Sequence, residues 1–195
     1  MSERRPAPGR PRSDEASARI LQATVELLAE SGAAGVSVDA VAGRAGVSRP
    51  TVYRRWKDRT ALIAAAVRDA FAQTNPEAPH TADPRADLVT VLSNTMRLLT
   101  RTGLGRVIAG LVSELPRSPE LADALREVER ERREVLRQVL RRAEERSLLR
   151  PADVELAVDL LLGPVYFRLL ITGAPVSPEL ATELAELVVA PSRPG

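Results

Sequence analysis

Ser48, Arg49, Pro50, Thr51, Tyr53, Arg54 and Lys57 fall within ten consecutive residues, and together they carry the chemistry that reads a polyanion. A guanidinium such as that of Arg49 can bond a guanine edge bidentately, while the Pro50 ring and Thr51 methyl suit a thymine methyl. Tyr53 and Arg54 suit phosphates, which fix register without reading sequence. Catalytic chemistry is scarce by comparison. The chain has no cysteine, so thiolate nucleophiles, thiolate metal sites and disulfides are excluded, and a reducing cytoplasm is the natural setting. Its single histidine, His80, rules out a His-pair zinc site and sits in a turn-rich loop where solvation is its ordinary fate. Neither a metal nor a cofactor is expected, and no enzyme activity.

Two short helices must position the cluster. Ser37 can cap a helix over Val38–Ala45, and Gly46 tolerates the positive φ that ends it and reverses the chain. Ser48 can cap the second helix, with Pro50 in its first turn, where a missing N–H costs nothing. The pair predicts a helix-turn-helix whose second member can enter the major groove. Val38, Val41, Ala42, Ala45, Val47 and Val52 supply the contacts that lock it, and Val52 and Trp56 are expected to be buried. Ser13, with Asp14 and Glu15, opens a preceding helix in which Ile20, Thr24, Leu27 and Leu28 share a face and which Gly32 closes, completing a three-helix head. Arg55 is either a further contact or a solvated side chain.

This segment resembles the helix-turn-helix of the tetracycline-repressor (TetR) family of bacterial transcription regulators. The similarity lies in an Ile20–Leu28 helix ending at Ser31-Gly32, then V-S-V-D-A-V-A-x-x-A-G-V-S at 36–48, then T-V-Y-R-R-W at 51–56, Lys57 and Leu62. The matched block covers about the first third of the chain. Thr60 departs from it, standing where the family often has an acidic residue. The resemblance implies that Thr51 and Tyr53 contact the DNA backbone and that Lys57, the only lysine against 27 arginines, meets a phosphate. The expected contact set is Ser37, Ser48, Arg49, Pro50, Thr51, Tyr53, Arg54 and Lys57. A looser similarity of LLGPVYFRLLITG (161–173) to the late helices of one regulator subgroup points the same way.

Charge is unevenly spread. Residues 1–60 hold eleven Arg or Lys against seven Asp or Glu, and the remainder seventeen against nineteen, so a basic end sits on a mildly acidic body. Residues 1–12 form a Pro- and Arg-rich arm in which Arg4, Arg5, Arg10 and Arg12 either order in a minor groove or only solubilise. The first residues lack the apolar core of a secretory signal. The most apolar candidate for a membrane span, Val154–Ile171, is broken by Glu155, Asp159 and Arg168, so no membrane partner is expected.

Asp58 opens a connecting helix with Leu62, Ile63, Ala66, Val67, Ala70 and Phe71 in a stripe, and NPEAPHTADP (75–84) marks the boundary of the body. The body reads as five helices. One spans Arg85–Thr100, a short one Leu104–Leu115, and a long one runs from Ser118-Pro119 to about Arg146 with a mixed-charge outer face, including the i,i+4 pair Glu129–Arg133. Pro151–Thr172 is apolar nearly all round, and Ser177-Pro178 opens the last helix. These two helices suggest a homodimer joined as a four-helix bundle, through Leu156, Leu160, Gly163, Pro164, Phe167, Leu180, Leu184 and Leu187, with Gly163 allowing close approach and Pro164 kinking its helix. Family resemblance implies the same dimer and an effector pocket in the body, for which Met96, Leu99, Arg106, Leu111, Tyr166 and Phe167 are the candidates.

The sequence therefore predicts an all-α protein of about nine helices: arm 1–12, helix-turn-helix domain 13–57, connecting helix 58–74, ligand-binding and dimerisation domain 75–190, tail 191–195. The function expected is a cytoplasmic, sequence-specific, DNA-binding transcription regulator, a repressor released from a palindromic operator by an unknown small-molecule effector. The alternative is a sequence-neutral architectural DNA-binding protein.

Overall fold

The computed structural model describes residues 11–191, with side chains from Asp14 onward. Arg4, Arg5 and Arg10 of the arm and most of the tail lie outside the described residues, whereas the backbone of Arg12 belongs to the first helix. Among the described residues there are nine α-helices: α1 (Pro11–Ser31), α2 (Val38–Ala45), α3 (Arg49–Tyr53), α4 (Arg59–Thr74), α5 (Pro84–Arg101), α6 (Leu104–Glu114), α7 (Pro119–Glu145), α8 (Val154–Phe167) and α9 (Pro178–Val188). The first helix already includes Pro11 and Arg12, ahead of the expected Ser13.

The helix starts follow from capping chemistry. Asp58, Ser118 and Asp153 each accept from the backbone N–H three residues on, at 2.7, 3.4 and 2.7 Å. Asp83 does the same for the N–H of Arg85 at 3.0 Å.

Helix α4 is the central member. Its buried face, Leu62, Ile63, Ala66, Val67 and Phe71, packs on α1 at the head and on α7 in the body. One apolar cluster consequently runs from Ile20 in α1 through α4 to Val189 beyond α9. α5 packs against α7 and α9. α6 approaches α5 closely at Gly105, where an added Cβ would lie 2.5 Å from the Leu99 carbonyl oxygen, so glycine is required there. The loop between α4 and α5 is fixed by buried Asp87, which accepts from the Thr81 N–H at 3.1 Å, the Thr81 hydroxyl at 2.8 Å and Arg142 Nη2 at 3.1 Å.

Helix α8 runs through Pro164 to Phe167 and then loosens into a π-turn at Arg168–Thr172, where the Gly173 N–H bonds the Arg168 carbonyl. The expected apolar helix therefore starts later, at Val154, and changes its winding near its end instead of ending as one regular helix. Ala157, Val158, Leu161, Leu162 and Val165 face the core; Leu156, Leu160 and Phe167 face solvent. No helix among the described residues is long and apolar enough to cross a membrane.

Candidate nucleic-acid interface

The reading helix owes its position to α2 and the turn after it. The Ser37 hydroxyl accepts from the Ala40 N–H at 3.1 Å and starts α2. Gly46 ends it at φ 64°, a left-handed conformation that other residues adopt only with strain. The Val47 N–H then bonds the Ala42 carbonyl at 3.0 Å, closing the reversal. Val41, Ala42, Ala45 and Val52 are buried in the seam, and Val38 and Val47 half-buried beside it. Trp56, expected in the core, packs against it but is half-buried, since α3 has ended and the chain is turning toward α4.

Arginines clamp the head from outside. Arg44 forks onto Glu30 at 2.9 and 2.7 Å and reaches Glu26 at 3.4 Å, tying α2 to α1. The Arg44 hydrogen bond holds the Glu30 carboxyl below its ordinary range, and Arg44 is raised in turn. Arg55, left open between contact and solvation, is a tie: its Nε donates to the Ser17 hydroxyl of α1 at 2.7 Å and its Nη1 to the Thr51 carbonyl. Arg59 donates to the Ala33 carbonyl and anchors the start of α4 to the turn after α1.

What α3 leaves exposed is Arg49, Pro50, Tyr53 and Arg54, with Lys57 just beyond it. Tyr53 is 55% exposed, which leaves its hydroxyl open to a partner. Lys57 is 3.8 Å from Asp58 and almost wholly in solvent. Ser48 occupies the cap position of α3, but its hydroxyl pairs with the Thr51 hydroxyl at 2.9 Å and bonds no backbone N–H. The expected side-chain cap is thus replaced by a hydroxyl pair at the helix's leading edge. Ser37 spends its hydroxyl on capping. Arg49 is not free: its Nε lies 2.5 Å from the Asp39 carboxylate in the first turn of α2. The Arg49 side chain remains 65% exposed despite that contact. Asp39 had no role in the sequence reading, although a carboxylate ten residues before an arginine, across a tight turn, was a visible signal.

The body holds a cavity of about 580 Å³ between α4, α6, α7 and α8. Val67 and Phe71 of α4, Ile108, Leu111 and Val112 of α6, Leu125 and Val128 of α7, and Tyr166 of α8 line it, with Arg126 and Glu129 as its charged members. Of the six expected lining residues, Leu111 and Tyr166 reach this wall. Met96 and Leu99 are buried in the core on α5, Arg106 is exposed, and Phe167 points outward at 56% exposure. Residue type and sequence position favour these four, whereas helix rotation decides which face meets the void. The inward arginine of α7 was also missed. Arg132 falls in the stripe Val128–Arg132–Leu136, and its guanidinium lies 4.7 Å from the Phe71 ring centroid and 5.2 Å from that of Tyr166. Burial pushes the Tyr166 hydroxyl pKa up, against the Arg132 charge that lowers it.

The expected dimer residues divide. Leu156, Leu160, Gly163, Phe167 and Leu187 are exposed, and Pro164 half-buried. Leu180 and Leu184 are 4% exposed and belong to the protomer's own core, because α9 packs on α5 and α8 along that face. Ile171, 71% exposed in the π-turn, extends the outward stripe of α8.

Comparison with known proteins matches residues 20–66 to the model of bacterial regulatory proteins of the tetR family, and residues 78–188 to that of the tetracyclin repressor-like C-terminal domain. The HTH-type transcriptional regulator YdeS of Bacillus subtilis is 34% identical over 181 residues, covering 90% of this chain and 89% of that protein. A DNA-binding transcriptional repressor TetR of Mycobacteroides abscessus is 31% identical over 118 residues, covering 59% and 60%. The crystal structure of the TetR family transcription regulator SCO0332 superposes with a TM-score of 0.68 at 37% identity, over 88% of this chain and 94% of that one.

Proposed function

The chain belongs to the tetR family of bacterial regulatory proteins and is a DNA-binding transcription regulator, and from that premise we propose that it is a homodimeric repressor released from a palindromic operator by a small effector. The observation that carries the reading is the exposed edge of α3. Its leading residues Arg49, Pro50 and Thr51 suit base edges, and Tyr53, Arg54 and Lys57 suit phosphates. Ser37 and Ser48 hold that edge in place through the cap of α2 and the hydroxyl pair with Thr51.

An exposed apolar face on the body supports the dimer in this reading. Leu156, Leu160, Phe167 and Ile171 recur at intervals of four, seven and four residues, and together with Leu187 they leave an apolar face on α8 and α9. A second copy covers such a face by twofold symmetry, with Gly163 and Pro164 at its centre, and sets two reading helices about one helical turn apart on DNA. The body cavity is the effector site, because Val67 and Phe71 lie on the helix that runs directly from the head. An occupant that fits one α4 position better than another shifts the dimer between DNA-binding and released geometries, and operator DNA must weaken effector binding in return. The work takes place in the cytoplasm, with the DNA.

Selection of bound sequences from a random duplex pool at near-physiological salt tests the reading. A palindromic consensus is expected. Enrichment without a consensus would instead make the protein an architectural binder, and no enrichment would remove the role given to Arg49 through Lys57.

A further inference from the structure

We infer that the cavity between α4, α6, α7 and α8 takes an uncharged, predominantly apolar small molecule and discriminates against organic cations and anions; this rests on reading that cavity as the effector site. Both charged side chains on its wall already have partners. Glu129 accepts from Arg132 Nε at 2.5 Å and Nη2 at 3.0 Å, and from Arg133 Nε at 3.0 Å. Arg126 pairs with Asp123.

One face of each aromatic ring on the wall is taken as well. Arg132, with 8% of its side chain exposed, places its guanidinium against both Phe71 and Tyr166. An aromatic pair beside a carboxylate is the usual receptor for a cationic ligand. Here the protein's own cation already lies over one face of each ring, so an entering ammonium would meet a carboxylate shared by two arginines and would be repelled by the buried guanidinium behind the rings.

An entering anion fares no better. The Arg132 fork is held by Glu129, and Arg126 is 73% exposed at the rim, where water and salt weaken its attraction. Either charge would lose its hydration without gaining an unspent partner, a large penalty. An uncharged molecule avoids that penalty and gains from burial against Ile108, Leu111 and Leu125. The volume of about 580 Å³ lies within the range of pockets for organic ligands.

Fluorescence titration of the full-length protein with two dyes of one ring system tests this: N-phenylnaphthylamine, which is uncharged, and anilinonaphthalene sulfonate, which is anionic. A naphthyl alkylamine, cationic at neutral pH, completes the set. The uncharged dye is expected to bind saturably and at least about tenfold more tightly than either charged one. Val112→Trp, which fills the cavity from its half-exposed edge, should abolish that binding while leaving the helical content intact. Glu129→Gln frees Arg132 and Arg133 from their counter-charge, so it should move the preference toward the sulfonate, a reversal that simple loss of packing would not give. Tighter binding of a charged dye by the unaltered protein would overturn the assignment of ligand class while leaving the effector site standing. Saturable binding that Val112→Trp does not touch, or no saturable binding of any dye, would overturn the effector site itself.

Discussion

Asp39→Ala is the perturbation that tests how the head reads a base. In the free protein Arg49 Nε lies 2.5 Å from the Asp39 carboxylate, so the guanidinium is tethered through Nε while Nη1 and Nη2 can still make an end-on bidentate guanine contact. Both side chains are more than half exposed, at 65% and 57%, so the pair contributes at most about 1 kcal/mol to folding. Its value lies in restricting Arg49 before DNA arrives. Immobilising a long side chain on binding costs about 0.5–1.5 kcal/mol, so releasing Arg49 should lower discrimination at its base pair about two- to twelve-fold. Arg49→Ala removes the contact itself and should cost about 1–3 kcal/mol of discrimination there. The two variants part company on unrelated DNA. Asp39→Ala removes an anion beside the reading edge and frees Arg49 for phosphates, so non-specific affinity should rise, with a salt slope steeper by about 0.9; Arg49→Ala should lower it. Competition binding with single-base operator variants at two salt concentrations measures all of these. Unchanged discrimination in Asp39→Ala, or a parallel fall on every sequence, would refute the tether and leave Asp39 as a residue that only favours the start of α2.

Four further outcomes are expected. Asp87→Asn strips the charge from a carboxylate 1% exposed that bonds Thr81 and Arg142, and should destabilise the protein by about 3 kcal/mol in urea unfolding; a loss under 1 kcal/mol would show that the node is dispensable. Gly46→Ala, at φ 64°, should cost about 1–2 kcal/mol by the same measurement and weaken operator binding through the turn. Leu160→Glu combined with Leu187→Glu should convert the proposed dimer to monomer in sedimentation, since each charge is placed where the apolar face is exposed at 44% and 66%. Burial pushes the Glu129 carboxyl up, but the Arg132 charge and the Arg132 and Arg133 hydrogen bonds outweigh this and hold it below its ordinary value. A folded-state pKa below the unfolded one means that its stabilisation is complete above the unfolded carboxylate range, about pH 4.3, and is lost as pH falls through the lower folded value. Thermal melts between neutral and acid pH should therefore show a shallower acid decline in Glu129→Gln than in the unaltered chain.

The contrast between head and body shows which kinds of information a linear sequence carries. In the head, structure is decided by residues a few positions apart: Ser37 with Ala40, Gly46 with its φ, and Val41, Ala42, Ala45 and Val52 at helical spacing. These were legible, and the reading helix followed from them. What escaped was contact across the turn, Asp39 with Arg49, and between helices, Arg55 with Ser17 and Arg44 with Glu30. In the body, the helices were legible from period and punctuation, but the site depends on which face of each helix meets the void. Two leucines of α9 show the limit: Leu184 and Leu187 are three residues apart and chemically alike, yet one is 4% and the other 66% exposed, because α5 and α8 cover only one side. The charge run of α7 shows it more sharply. Read as a row of alternating signs, Glu129, Arg132 and Arg133 belong to a solvated surface. Read at a spacing of four from Val128 to Leu136, Arg132 belongs inside, where a lone guanidinium is tolerable only with a carboxylate and aromatic faces around it. Glu129, Phe71 and Tyr166 meet that demand. The buried charge thus specifies its neighbours, and in doing so it leaves the adjoining cavity without an unspent charge for a ligand to use.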